Sequence, residues 1–307
     1  MYKSFPRNYP VGLRRHYRVL FIIAVVALAV IYREEAVKIA RIVLSSPPWL
    51  FFLSLLLVVV EFTLQAARMK LVFGKSWREI LETYAIGLMV ALSFPSRTLG
   101  EGARIAAMAR ELGVRTSEMA AYVSVERMVD VIVIVLVASL ILLEVQPVLL
   151  ILVVLGVGAF IGVLESDRAY GLVRSLSIPE VLRRYLENSR KIIKNRALFT
   201  VMFLITVVLW AVDYLRMWII VRTMGGEIDY TAVASLVSLA YILAAASFLP
   251  GGLGAYEGGL AGGLVIKGIP YDVAIAATLY ERLFSYWLWI AVGAAVGALR
   301  RDTGASS

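Results

Sequence analysis

The chain has 307 residues, 61% of them hydrophobic, and carries 31 Lys+Arg against 22 Asp+Glu for a net charge of +9. Soluble domains are nearer half apolar. Here the apolar residues also run in long blocks, so composition points to an all-α polytopic membrane protein with little length left for a soluble domain. The absence of Cys excludes disulfides, thiol catalysis and thiolate metal centres, and the single His, His16 in a basic tail, excludes imidazole triads and His-built metal sites. No metal or other cofactor is expected. Nor is a nucleic-acid partner, because the cytoplasmic loops of membrane proteins are basic as a rule.

A spanning helix requires about 20 apolar residues, or about 30 Å of rise. In chain order, 19–32 is a short first span. Five Lys/Arg precede it and no small-residue cleavage site follows, so no cleaved leader is expected. Residues 34–46 read as an interfacial helix and 49–67 as a full span. The next two segments, 80–95 and 99–112, are too short or too charged to span, and Pro95 and Gly100 punctuate them. They predict a re-entrant helical hairpin with its tip near mid-membrane. Spans follow at 118–143 and 147–164, then a polar, basic, cytoplasmic helical linker at 165–197. A span at 198–221 leads to a second hairpin, 231–249 and 252–266, around Pro250, Gly251, Gly252 and Gly254. The last span is 273–299. The expectation is about six full spans, one transmembrane domain over 1–307, and both termini in the cytoplasm of a cell (plasma) membrane. With that orientation 21 of the 31 basic residues fall inside, Arg68 among them.

An internal repeat underlies this layout. Pro95 and Pro250, Gly113 and Gly268, and Glu126-Arg127 and Glu281-Arg282 are each separated by 155 residues. Repeat one covers about 49–143 and repeat two about 198–299. Three expected spans lie between the hairpins, so the second repeat is inverted relative to the first. Secondary transporters use such inverted repeats with broken helices for alternating access.

Charge inside hydrocarbon costs at least about 2.5 kcal/mol per group, yet seven acids and five Arg lie in the membrane segments. Arg97, Glu101 and Arg104 line one side of a hairpin arm. Glu126 and Asp130 share a helical face beside Arg127, and Asp213 and Arg216 stand three residues apart. Glu61, Glu257, Glu281 and Arg282 complete the set. One reading is structural, with ion pairs locking repeat to repeat. The other is a polar cavity for an anionic headgroup, in which Arg97 and Arg104 clamp a phosphate beside a helix N-terminus at Gly100, and Glu101, Glu257 and Glu281 carry protons or balance Arg. Glu61, Asp213 and Arg216 serve in coupling or as a structural ion pair. The glycine run 251–259 lacks both the dinucleotide spacing and a Walker Lys-Ser/Thr, so it is not a nucleotide loop. The linker bases could meet anionic lipid headgroups at the cytoplasmic face, although positive-inside bias explains them equally well.

Four stretches together carry a family resemblance: 95–104 (PSRTLGEGAR), Glu126-Arg127-Met128-Val129-Asp130, 250–257 (PGGLGAYE) and Tyr280-Glu281-Arg282. They resemble the transmembrane region of lysylphosphatidylglycerol synthases and its stand-alone, flippase-like relatives in bacteria and archaea, over about residues 19–299. The resemblance implies movement of a lipid between leaflets. The synthase's soluble aminoacyl-transferase domain has no counterpart in these residues, so lipid aminoacylation is not implied. The expected function is therefore a flippase-like transporter of an anionic phospholipid or polyprenyl-phosphate-type lipid, with membrane lipid as its partner and the homo-oligomeric state left open. A proton- or sodium-coupled carrier of a small anion is the alternative. No enzymatic activity is expected.

Overall fold

The structure, a computed structural model, describes residues 33–94, 97–145, 165–175, 179–247 and 254–304, with Gly252 and scattered positions between 148 and 162. The first expected span, most of 147–164, Pro95, Pro250, Gly251 and the side chain of Arg97 lie outside the described residues. Among those described, all regular structure is helical.

Helix α1 is Arg33–Leu44, α2 Pro48–Phe73, α3 Trp77–Ser93, α4 Arg97–Leu112 and α5 Thr116–Val145. Two helices lie in the linker, α6 (Asp167–Ser175) and α7 (Glu180–Lys194), and α8 is Arg196–Thr223. Then come α9 (Tyr230–Ala246), α10 (Ala255–Ile266) and α11 (Tyr271–Arg282), which passes through a π turn at Leu283–Trp287 into α12 (Leu288–Gly304). Two of these, α2 with 26 residues and α8 with 28, are long and apolar enough to cross a bilayer. Their outward faces carry Phe52, Leu56, Leu204 and Val208, all more than half exposed. Such a surface is a liability in water and is matched by hydrocarbon. Helix α5 is longer still, at 30 residues. The hairpin arms are much shorter, with α3 and α4 at 17 and 16 residues and α9 and α10 at 17 and 12.

Local chemistry sets the helix ends. Ser76 opens α3 with a capping box, its hydroxyl accepting from the Glu79 amide while Glu79 accepts from the Ser76 amide at 3.0 Å. Asn195 caps α8 by accepting from the Leu198 amide. Gly252 and Gly254 approach α10 with φ of 71° and 84°, a left-handed backbone that a residue with a Cβ resists.

The packing is reciprocal. Helix α3 of the first half packs on α12 of the second, α9 of the second packs on α5 of the first, and α2 packs along α8. Each 155-residue equivalent thus leans on the other half. Two cores result. One joins α2, α3, α4 and α5 through Met69, Tyr84, Met108 and Tyr122. The other joins α8, α9, α10 and α11 through Met217, Val237, Leu260 and Ala277.

The linker is more ordered than a flexible tether. Helix α7 buries Ser189, Ile192 and Ile193 and lies against α5. Asp167 of α6 pairs with Arg190 and with Lys194, the latter at 2.7 Å, and Arg190 also lies over the Tyr170 ring. These cations hold the Asp167 carboxyl below its ordinary range, first through the Lys194 hydrogen bond. Arg183 and Arg184 pair with Glu180 and Arg196 with Glu165, so five of the linker's bases are already partnered.

Candidate functional site

The buried charges assemble into two clusters built on one plan. In the first, Arg68 of α2 reaches Glu126 at 3.0 Å and Asp130 at 2.7 Å on α5, and donates to the Thr206 hydroxyl at 2.8 Å. Arg104 of α4 takes the other Glu126 oxygen at 3.0 Å and also bonds Glu101 at 3.2 Å. Arg127 bonds Glu101 at 2.9 Å and Asp130 at 3.2 Å. The Tyr84 hydroxyl lies 2.9 Å from Glu126 Oε1. In the second cluster, Arg216 of α8 bonds Glu281 of α11 at 3.2 Å, Glu61 of α2 at 3.0 Å and Asp213. Arg282 bonds Glu257 of α10 at 2.6 Å, and Glu257 in turn accepts from the Gly254 amide at 2.6 Å.

The plan repeats between the halves, with the Glu-Arg pairs 155 residues apart, Glu101 and Glu257 156 apart and Arg68 and Arg216 148 apart. In each half the Glu of the Glu-Arg pair (Glu126, Glu281) meets an Arg from a long apolar helix (Arg68, Arg216). The Arg of the pair (Arg127, Arg282) meets the Glu of the hairpin's second arm (Glu101, Glu257). Glu61 and Arg216 are themselves 155 residues apart and touch, which puts their contact where the two halves meet.

Between the clusters lies one cavity of about 320 Å³. Both halves contribute to its wall, which carries four guanidiniums (Arg68, Arg127, Arg216, Arg282) and four carboxylates (Glu61, Glu101, Asp130, Asp213) among apolar and aromatic side chains. Five buried donors of residues on that wall have no hydrogen-bond partner: Arg68 Nε, Arg127 Nε, Arg282 Nη2, Trp210 Nε1 and the Ser285 hydroxyl. Unsatisfied buried donors cost free energy. Among the described residues no group of three or more acids has the geometry of a metal site.

The expected site residues divide accordingly. Glu101, Arg127, Asp130 and Arg282 line the cavity, and so do Glu61, Asp213 and Arg216. Arg104, Glu126, Glu257 and Glu281 stand behind the wall. The expectation that Arg104 clamps a phosphate does not fit its surroundings. The residue is fully buried, and its two terminal nitrogens are already taken by Glu101 and Glu126. Glu126 likewise has both oxygens occupied and works as the keystone of its cluster. Gly100 is buried at a close helix crossing, where an added Cβ would collide with the Ala91 carbonyl oxygen.

Arg68, expected among the bases of the cytoplasmic side and not among the site residues, is a buried member of the first cluster. It is 1% exposed and holds the first cluster together. A signal for it was present, because Glu61, Gln65 and Arg68 follow i, i+4, i+7 spacing and so share one face of α2. The aromatic lining, Trp210 and Tyr241, carried no comparable signal. Trp210 packs edge-on against Tyr241 at 4.9 Å, Tyr241 against Tyr256 at 5.0 Å, and Arg282 lies 4.1 Å over the Tyr256 ring.

Comparison with known proteins agrees with this architecture. A UPF0104 membrane protein of Methanothermobacter thermautotrophicus is 24% identical over 313 aligned positions, covering 92% of each chain. A second UPF0104 membrane protein from that organism is 28% identical over 38% of this chain and 35% of its own. One from Pyrococcus horikoshii is 25% identical over 35% of this chain and 32% of its own. The family described as "Lysylphosphatidylglycerol synthase TM region" matches residues 17–293. That match takes in both charge clusters, the cavity and both hairpins, and the chain belongs to this family of membrane proteins.

Proposed function

We propose that the protein is a flippase-like transporter that moves an anionic phospholipid or polyprenyl-phosphate-type lipid between leaflets, and that it is not an enzyme. The observation that carries this reading is the cavity bounded by both halves of the chain, with Arg127 and Arg282 at equivalent places on its wall. A phosphate entering there would meet guanidinium forks suited to bidentate contact, and Arg282 Nη2, Trp210 Nε1 and the Ser285 hydroxyl would gain an acceptor. The short arms α3/α4 and α9/α10 act as re-entrant hairpins, and the 155-residue repeats are inverted. Rocking one repeat against the other around a fixed central site would open the cavity to each leaflet in turn. The reciprocal packing of α3 on α12 and α9 on α5 supplies the two interfaces across which such rocking would run. The setting is the cell membrane, with both termini cytoplasmic.

The test uses protein reconstituted into vesicles containing fluorescent lipids that differ only in headgroup. Exchange of the anionic lipid should exceed that of a zwitterionic one. Arg282→Ala and Arg127→Ala should each slow it by about tenfold or more, because a charge-assisted contact contributes about 1.5–3 kcal/mol. Exchange that ignores headgroup charge and both substitutions would remove the reading. Uptake of inorganic phosphate without lipid exchange would favour a small-anion carrier instead.

A further inference from the structure

The two clusters share a plan but not a charge balance. The first sets three guanidiniums (Arg68, Arg104, Arg127) against three carboxylates (Glu101, Glu126, Asp130), and each carboxylate contacts two Arg. The second sets two guanidiniums against four carboxylates. Glu257 is accounted for by Arg282 and the Gly254 amide. That leaves Glu61, Asp213 and Glu281 gathered on the single guanidinium of Arg216. All four are more than nine-tenths buried, at 8%, 5%, 1% and 1% exposure respectively. Arg is always charged, so a fully ionised trio would leave two uncompensated negative charges in a membrane interior, where even one is costly.

The hydrogen bonding points the same way. Glu281 gives one oxygen to Arg216, and its Oε2 has no partner. A buried anionic oxygen without a donor is poorly stabilised, and a proton there removes the charge. A metal ion is a poor substitute, since the centre of the trio is occupied by a guanidinium that would repel it. Glu61, Asp213 and Arg216 all line the cavity, which offers a proton a route in and out. The other titratable or charged groups near the trio are Arg282 on α11, Glu257 on α10, Tyr214 on α8, Tyr230 and Tyr241 on α9, Tyr256 on α10, and Asp130 and Arg68 across the cavity. None of these adds a cation free of its own acid. The π turn beginning at Leu283 directly follows this cluster, whereas the equivalent stretch after Glu126-Arg127 is regular α-helix. Such turns recur at functional sites.

We propose that Glu61, Asp213 and Glu281 around Arg216 form a proton-carrying site confined to the second cluster, where the two repeats meet, through which substrate movement is coupled to proton movement. The first cluster is a fixed ion-pair network with no such role. The site itself rests on the charge imbalance, while the coupling rests on the transport reading above. When an anionic headgroup engages Arg282, the neighbouring trio would gain a proton. When the headgroup leaves, the proton departs through the cavity.

Infrared spectroscopy of the intact protein in lipid nanodiscs tests the site without requiring transport. At neutral pH the spectrum should contain the carbonyl stretch of a protonated, buried carboxylic acid, which shifts in D2O and disappears on alkaline titration. Glu281→Gln or Asp213→Asn should shrink that band while the protein keeps its thermal transition. No such band, or one indifferent to both substitutions, overturns the proposal. So does a trio neutralised by sodium, read as a sodium-dependent rise in thermal stability with no titrating band. Coupling is then read in vesicles, where a pH gradient should accelerate lipid exchange by wild type and not by Glu281→Gln. Exchange by wild type that ignores the gradient overturns the coupling while the flippase reading stands. A titrating band in a protein that exchanges no lipid overturns the flippase reading and the coupling together, and leaves the proton site.

Discussion

Arg68 shows how much a single charge can hold. Its guanidinium serves Glu126 and Asp130 of α5 and Thr206 of α8 at once, in a position that is 1% exposed. Removing one partner from a buried network strands the others, which costs about 3–5 kcal/mol. Arg68→Ala should therefore lower stability by about that amount, measured by thermal or denaturant unfolding in detergent. Arg78→Ala is the contrast. Arg78 pairs with Glu82 at 2.8 Å, but its side chain is 88% exposed, so the change should leave the unfolding transition nearly where it was. Equal losses from the two would mean that burial does not decide the worth of these pairs.

At the scale of elements, the first hairpin depends on how closely its arms approach. Gly100 and Gly102 both lie on α4, two residues apart. A Cβ at Gly100 would strike the Ala91 carbonyl oxygen of α3, whereas a Cβ at Gly102 meets nothing within 4 Å. Gly100→Ala should then destabilise the protein by about 1–3 kcal/mol through overpacking. Gly102→Ala should be neutral or slightly stabilising, because Ala favours the helix over Gly. Parallel melting curves would decide it, and a reversed order would mean the arms are not packed as described. Hairpin two reaches the same closeness by other means. Its tip uses the left-handed Gly252 and Gly254, and Glu257 ties that tip to Arg282. Pro and Gly punctuate segments too short to span, and the helices on either side, α3 with α4 and α9 with α10, pack against each other. The π turn at Leu283–Trp287 left no such mark, since it consists of ordinary apolar and aromatic residues and one Ser.

For the whole molecule, the halves interlock: α3 rests on α12, α9 on α5, and the Glu61–Arg216 contact sits where they meet. With Arg68 buried, the bases of the tail, the linker and Arg300–Arg301 carry the expectation that both termini are cytoplasmic. A reporter fused after Ser307 should accordingly be active only if it works in the cytoplasm. A reporter active solely outside would invert the topology and with it the direction assigned to each hairpin.

By itself the sequence determined the class of this protein, a helical membrane protein, and the 155-residue spacing of its Glu-Arg pairs, and it supplied the expectation of two hairpins and of charges within membrane segments. Each follows from local rules: apolar run length, Pro and Gly punctuation, and the cost of charge in hydrocarbon. Only the tertiary structure decided which charges face a cavity and which are consumed behind it. Arg104 and Arg127 are alike in a list of residues, yet one is shut between Glu101 and Glu126 and the other reaches the central space. It also decided that cluster one balances and cluster two does not. Partnership between charges from α2, α5, α8 and α11 depends on helix packing across more than a hundred residues of chain, and no spacing along a single segment encodes it.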